Sequence, residues 1–253
     1  MILQLFSLEG KNALVTGSGR GLGAGIALAL AEAGANVGCH SLSASAEQTC
    51  GAICKLGRKT FWMAGDVADP QFCDALIGRT TEEFGSIDVL VNNAGMIRRA
   101  PVAEFPREYW DEVIAANLSS VFRLTQSAGR RMLSNGGGKV INIASLLSFQ
   151  GGVFVPSYAA AKAGVAALTK SFANEWAEKG INVNAIAPGY MATDNTSALR
   201  ADAERSRQIV ERIPAGRWGE PADLAGAAVF LASRASDYVH GHVLVVDGGW
   251  MGR

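Results

Sequence analysis

"NALVTGSGRGLGAG", residues 12–25, decides how the rest of the chain is read. A short apolar run ends in a glycine-rich turn, and the turn opens into "GAGIALALAEAG", whose apolar residues recur at helical spacing. Glycines at 17, 21 and 23 fit G-x-x-x-G-x-G. The alternative spacing G-x-G-x-x-G fails, because its third glycine falls on Leu22. A glycine-rich turn also serves as a plain tight turn, so its context matters. Between a strand and a helix, such a turn brings backbone N–H groups close to an anion at the helix N-terminus. Gly17, Ser18, Gly19, Arg20, Gly21, Leu22 and Gly23 are therefore expected to surround the pyrophosphate of a dinucleotide.

Working outward, six more strand-like runs alternate with longer helical segments: "ANVGCH" (35–40), "KTFWMAG" (59–65), "IDVLVNN" (87–93), "GKVINIAS" (138–145), "INVNAIAPG" (181–189) and "HVLVVDGG" (242–249). Strands that are apolar on both faces and separated by helices imply a parallel sheet covered on both sides. The expected fold is α/β, a Rossmann-like doubly wound sheet of seven mainly parallel strands with helices on both faces. No linker or repeat divides the chain, so residues 1–253 read as one domain. The polar, charged stretch 189–217 is long for a connection between elements and is expected to be an irregular lid over the substrate.

Composition narrows the function. The 23 basic and 23 acidic residues cancel, with no Lys/Arg run to attract nucleic acid or an anionic membrane. No apolar run reaches the roughly 20 residues that a membrane span requires. "MILQLFSLEGKNALVTG" lacks a basic n-region and an A-x-A-like cleavage site, and the chain is expected to be cytoplasmic. Cys39, Cys50, Cys54 and Cys73 show no C-x-x-C spacing and no adjacent His, so free thiols are expected rather than a metal site.

The second strand would carry an acidic residue near position 41 if it bound the ribose 2′-hydroxyl of NAD. Here "NVGCHSLS" places Ser41 there, with His40 before it. No carboxylate would repel a 2′-phosphate, and Arg20 in the glycine loop could reach one, so NADP(H) stays open. In "GDVAD", Asp66 and Val67 follow strand three, where a carboxylate can accept from the adenine amino group. Asp69, before Pro70, is the better helix cap. "NNAG" contributes Asn93, Ala94 and Gly95, whose backbone should run past the cofactor.

"SYAAAKAG" (157–164) sets Tyr158 and Lys162 one helical turn apart on one face, with only small residues between them. A solvated Lys covering a ring is one reading. The other is a phenol whose proton an ammonium makes mobile. Lowering a phenol by roughly 3 units corresponds to about 4 kcal/mol of differential stabilisation, and the expectation is that Lys162 supplies much of it.

With the glycine loop, "NNAG", Tyr158 and Lys162, the chain resembles the short-chain dehydrogenase/reductase family over about residues 8–250. The resemblance implies a catalytic set of Asn117, Ser145, Tyr158 and Lys162. Tyr158 would be the acid/base, Ser145 would donate to the same carbonyl oxygen, and Asn117 would hold a water that links Lys162 to solvent. Tyr158 and Lys162 would also touch the cofactor, and Pro188, Gly189 and Thr193 match the segment beside the nicotinamide amide. "FSLEGK", "GMIRR", "ASLLSFQGG", "AIAPGYMAT" and "RIPAGRWGEPADL" are similar to a subgroup that acts on 2-dehydro-3-deoxy-D-gluconate. That similarity implies reduction of 3-deoxy-D-glycero-2,5-hexodiulosonate in pectin and uronate breakdown, NAD(H) as the favoured cofactor, and a homotetramer.

A diketo acid needs a local cation in a neutral protein. Arg98 and Arg99, which leave the sheet just after "NNAG", are expected to anchor it, with Arg200 and Arg205 as the lid alternatives. Ser145, Gln150 and Tyr158 complete the expected substrate contacts. Trp62, Trp110, Trp176 and Trp218 read as core or interface, and His240 and His242 as structural. Competing functions are gluconate 5-dehydrogenase, 3-oxoacyl-carrier-protein reductase, and a cofactor-binding protein without catalysis.

Overall fold

The computed structural model describes residues 1–43 and 46–253, so the end of "HSLSAS" lies outside the described residues. Seven strands form one sheet: β1 (Asn12–Val15), β2 (Asn36–Ser41), β3 (Thr60–Ala64), β4 (Val89–Asn92), β5 (Gly138–Ile143), β6 (Ile181–Pro188) and β7 (Val243–Val246). Every adjacent pair is parallel, and the spatial order is β3-β2-β1-β4-β5-β6-β7. All seven expected strands are present.

The helices are α1 (Gly21–Glu32), α2 (Glu47–Lys55), α3 (Pro70–Phe84), α4 (Arg107–Ile114), α5 (Ser120–Ser134), α6 (Pro156–Trp176), α7 (Ser197–Ala201), α8 (Ala203–Arg212) and α9 (Ala225–Ala232). Strand side chains alternate between two cores, as a pleat requires. Ala13 and Val15, Val89 and Val91, and Ile141 face α1, α2 and α9 through Ile26, Leu30, Ile53 and Leu231. Leu14, Leu90 and Val140 face α3, α5 and α6 through Leu76, Leu124, Phe172 and Trp176. Because both faces are buried, the strands read as unbroken apolar runs rather than as alternations.

Two features of the connectivity place a site. The strand order reverses between β1 and β4, and in open α/β sheets the crevice beyond the carboxyl ends at such a point receives ligands. Asp69 caps α3 by accepting from the backbone N–H of Gln71 at 2.9 Å, so the neighbouring Asp66 is not needed for that role. Among the described residues, no helix is long and apolar enough to cross a membrane.

The stretch 189–217 departs from the irregular loop expected. It contains a 3₁₀ turn (Asp194–Thr196), α7 and α8. Asp202 caps α8 by accepting from the Arg205 N–H at 3.0 Å. Ile209 and Ile213, four residues apart, bury themselves with Leu146 and Trp250 and pack against Tyr190 and Trp218. One apolar pair at i and i+4 in a charged run is too short a pattern to announce a helix, yet it suffices once a neighbouring surface receives it.

Candidate active site

The glycine loop is held by the end of β4. The Thr16 hydroxyl accepts from the backbone N–H groups of Asn93 and Ala94, both at 3.0 Å. The Asn93 amide donates to the carbonyls of Thr16 (2.8 Å) and Gly17 (3.1 Å). Gly17 has φ +63°, and a β-carbon there would lie 2.9 Å from the Ala94 Cα. A β-carbon at Gly23 would lie 2.2 Å from the Gly17 carbonyl oxygen, so only glycine allows the loop to fold onto α1. The N-terminus of α1 has no side-chain cap and no acid in its first turn. Open N–H groups at a helix start, lined by glycines, fit a pyrophosphate.

Individual loop residues divide between scaffold and cradle. Ser18 is buried and donates its hydroxyl to the Val15 carbonyl at 2.9 Å. The Leu22 side chain packs on the core, which leaves its backbone alone to the cradle. Arg20 is largely exposed and pairs with Asp194 at 3.1 Å. Asp66 accepts from the Ala68 N–H through one oxygen at 2.8 Å, leaving the other oxygen for a ligand, and Val67 is buried in the second core. The Ser41 hydroxyl donates to the Ser43 carbonyl. Gly21 faces Thr193, whose Cγ2 lies 3.7 Å from where a β-carbon at Gly21 would be. A β-carbon at Gly189, after Pro188 at the end of β6, would lie 2.6 Å from the Asp247 Cα.

The expected catalytic residues converge at the end of β5 and on α6. Ser145 caps the turn Leu146–Ser148 and accepts from the Leu147 N–H at 3.1 Å. Tyr158 lies in the first turn of α6. Lys162 is buried, and its Nζ donates to the Ile143 carbonyl at 2.6 Å while lying 5.7 Å from the Tyr158 ring centroid. Burial lowers the Lys162 ammonium to about 8. Burial raises the Tyr158 phenol above its ordinary value, while the Ser145 hydrogen bond and the Arg99 charge pull it down.

Here the expectation that Lys162 dominates the phenol is corrected. The ammonium is aimed at a main-chain carbonyl, and desolvation outweighs the opposing influences. Asn117 departs from regular α-helical winding. It sits in a π turn, Ala115–Ser119, between α4 and α5. Its side chain is committed to Met96, accepting from the N–H and donating to the carbonyl, both at 2.8 Å. A β-carbon at Gly95 would lie 3.1 Å from the Asn117 Oδ1, so the strand end rests directly on this amide.

The two arginines after "NNAG" go separate ways. Arg98 pairs with Glu112 at 2.8 Å and lies over the Tyr109 ring at 5.1 Å. Arg99 donates to the Asn195 carbonyl at 3.3 Å, and its charge reaches Tyr158. Gln150 accepts from the Trp250 indole at 3.3 Å, which ties it to the C-terminal segment. Arg200 donates to the Thr193 carbonyl at 3.2 Å, and Arg205 reaches Gln208 at 3.4 Å along its own helix. Spacing alone did not point to His40, Asp194 or Asn195. His40 was only a neighbour of Ser41, and the other two acquire partners through the fold of the 189–217 segment.

Comparison with known proteins agrees with this geometry. A family model described as enoyl-(acyl carrier protein) reductase matches residues 17–251. A 2-dehydro-3-deoxy-D-gluconate 5-dehydrogenase of Escherichia coli (strain K12) is 54% identical over the whole of both chains. A crystal structure with bound NADP from Agrobacterium tumefaciens, provisionally a 2-deoxy-D-gluconate 3-dehydrogenase, is 57% identical with a TM-score of 0.92, covering 98% of this chain and 99% of that one. A gluconate 5-dehydrogenase of Burkholderia cenocepacia J2315, in complex with NADP and tartrate, is 41% identical with a TM-score of 0.96 over all of both chains. The chain belongs to the short-chain dehydrogenase/reductase family and is an NAD(P)-dependent oxidoreductase.

Proposed function

We propose that this enzyme interconverts a keto and a hydroxyl group on a sugar acid, reducing 3-deoxy-D-glycero-2,5-hexodiulosonate to 2-dehydro-3-deoxy-D-gluconate in pectin and uronate breakdown. One observation carries the reading. Arg99 follows the end of β4 and donates to the Asn195 carbonyl at 3.3 Å, which sets a cation at the carboxyl edge of the sheet, where an anionic substrate must bring its ketone. The E. coli relative, at 54% identity, is named for the same sugar acid.

The nicotinamide supplies the hydride in reduction and accepts it in oxidation. Tyr158, whose phenol is held protonated by burial, delivers the proton to the carbonyl oxygen as negative charge builds there. Ser145 donates a second hydrogen bond to that oxygen. Lys162 holds a positive charge beside the pair and can donate to the cofactor ribose. The Asn117 side chain is taken by Met96. A relay water would therefore meet a main-chain carbonyl of the π turn, where the wider winding frees an acceptor.

Gly17 to Gly23, Ser41, Asp66, Val67, Asn93 to Gly95, Pro188, Gly189 and Thr193 would hold the cofactor. NADP(H) is accepted alongside NAD(H) in this reading. Ser41 offers no negative charge against a 2′-phosphate, the exposed Arg20 of the glycine loop would be free to meet one, and the Agrobacterium and Burkholderia structures hold NADP. The 189–217 segment acts as the lid. The outer face of α5 and α6 carries a groove of about 620 Å³ lined by Leu118, Phe122 and Leu168, which supports assembly as a homotetramer. The enzyme would work in the cytoplasm.

Loss of reduced-nicotinamide absorbance with the 2,5-diketo acid, 5-keto-D-gluconate and a 3-oxoacyl carrier protein tests the assignment. The diketo acid should give the highest kcat/KM. A higher value for 5-keto-D-gluconate would shift the assignment to the activity named for the Burkholderia relative.

A further inference from the structure

His40, the residue before the ribose position at the end of β2, does more than fill space. It is 2% exposed, and both ring nitrogens are engaged. The backbone N–H of Gly17, the first glycine of the phosphate loop, donates to Nδ1 at 3.1 Å. Nε2 lies 3.0 Å from the carbonyl oxygen of Gly65, just beyond β3. These partners choose the tautomer. An amide N–H can only donate and a carbonyl can only accept, so Nδ1 must carry the lone pair and Nε2 the hydrogen. The neutral ring is thus a strut between the glycine loop and the end of β3. Its backbone is locked into the same loop, since the His40 N–H donates to the Ser18 hydroxyl at 3.0 Å and its carbonyl accepts from the Ser18 N–H at 2.8 Å.

We propose that His40 is a positioning residue for the cofactor phosphate loop, holding it as a neutral imidazole, and that protonation of the ring releases the loop and weakens nicotinamide cofactor binding in mild acid. The inference rests on the glycine loop being the pyrophosphate cradle. A protonated ring carries a hydrogen on both nitrogens, so Nδ1–H would oppose the Gly17 N–H across 3.1 Å, two donors with no acceptor between them. Gly17 has φ +63° and packs within a β-carbon's reach of Ala94, so it has little room to turn its N–H elsewhere while the loop keeps its shape.

The surroundings of the ring set where this happens. From the β3–α3 connection, the Asp66 carboxylate favours the charged ring, and the Gly65 carbonyl does likewise. From α3 the ring meets Phe72, with centroids 5.5 Å apart, and the glycine loop presents backbone and the Ser18 hydroxyl. Burial outweighs the two favourable groups and moves the imidazole below its ordinary value. Charging therefore falls on the acid side of 6.5 and leaves neutral pH unaffected.

The test is the affinity for NAD⁺ between pH 7.5 and 5, measured by titration calorimetry; its pyrophosphate takes up no proton in this range. The wild-type dissociation constant should rise severalfold, in proportion to the share of the free enzyme whose ring is charged at pH 5. His40→Gln, which can accept from Gly17 but cannot gain a proton, should bind with little pH dependence and surpass wild type at pH 5. His40→Ala should bind more weakly at every pH with its kcat/KM loss in the cofactor term. The ¹⁵N shifts of the His40 ring in the wild-type protein, one of three histidines, should report the Nε2–H tautomer at pH 7.5 whether or not the variants fold. Affinity unchanged to pH 5 in a folded wild type, an equal acid loss in His40→Gln, or an Nδ1–H ring would each overturn the proposal. Absence of both NAD⁺ and NADP⁺ binding at pH 7.5 would overturn the phosphate-cradle reading and this inference with it.

Discussion

Lys162 donates its ammonium to the carbonyl oxygen of Ile143, two residues before Ser145, at 2.6 Å. The charge sits in a buried place, and burial lowers it from 10.5 to about 8. A lowered lysine favours the neutral form in the folded state. Its penalty is therefore fully present below pH 8, shrinks as pH rises from 8 toward 10.5, and is gone above that. The difference of about 2.5 units corresponds to roughly 3 kcal/mol held against folding at pH 7. Lys162→Met should consequently melt at or above the wild-type temperature at pH 7, because an apolar side chain replaces a buried charge. Turnover should fall by at least ~10²-fold. Calorimetry paired with steady-state kinetics checks both. A large drop in melting temperature would mean the ammonium is chiefly a structural donor to Ile143.

Tyr158 gives a directional pH dependence. Its phenol is raised by burial, so the acid form persists through neutral pH. Reduction, which needs the protonated phenol, should vary little between pH 6 and 8, whereas alcohol oxidation, which needs the phenolate, should climb as pH rises. Tyr158→Phe should remove this slope, lower kcat by roughly 10²-fold or more, and leave the cofactor dissociation constant nearly unchanged. Wild-type turnover in the Phe variant would sink the acid/base assignment.

The fold was legible because burial on both faces makes the inner strands apolar runs, and "NNAG" and "TGSGRGLG" mark where β4 and β1 end. Tyr158 and Lys162 were legible because helical spacing fixes their shared face. The direction of the Tyr158 shift was not, since it depends on desolvation rather than on the separation of two residues. Nor could spacing show that the Asn117 amide closes onto Met96, a contact made across a π turn. The helices of 189–217 stayed hidden because Ile209 and Ile213 matter only against Trp250 and Leu146, distant in sequence.

Cofactor choice turns on Arg20, which pairs with Asp194 at 3.1 Å with both side chains mostly in solvent. An exposed pair of this kind contributes about 0–1 kcal/mol, so Arg20 can leave Asp194 for a 2′-phosphate at little cost. Arg20→Ala should weaken NADPH more than NADH. Ser41→Asp should push preference toward NADH by placing a carboxylate where the second strand ends. Dissociation constants for both reduced cofactors, by fluorescence, check this. Indifference of NADPH binding to Ser41→Asp would put the ribose elsewhere.

The last prediction separates two adjacent cations. Arg98 is already matched: Glu112 accepts from it at 2.8 Å, and the Tyr109 ring lies beneath it at 5.1 Å. To bind a substrate carboxylate it would have to give up both contacts. Among the described residues Arg99 is held by the Asn195 carbonyl alone, at 3.3 Å, and its charge favours the Tyr158 phenolate. A carboxylate offers a guanidinium a stronger, two-pronged bond than one long contact to a neutral carbonyl. Exchanging one for the other would draw the substrate toward Tyr158 and free the first turn of the 189–217 segment. Arg99→Met should therefore raise KM for the diketo acid by about 30- to 150-fold, the equivalent of roughly 2–3 kcal/mol for a charge-assisted hydrogen bond. Cofactor affinity should hold. Arg98→Met should change KM less than about threefold, as expected for an exposed ion pair. Kinetics of both variants with the diketo acid, beside a neutral ketone that lacks the carboxylate, give the reading. If Arg99→Met keeps the wild-type KM, Arg200 or Arg205 becomes the place to look.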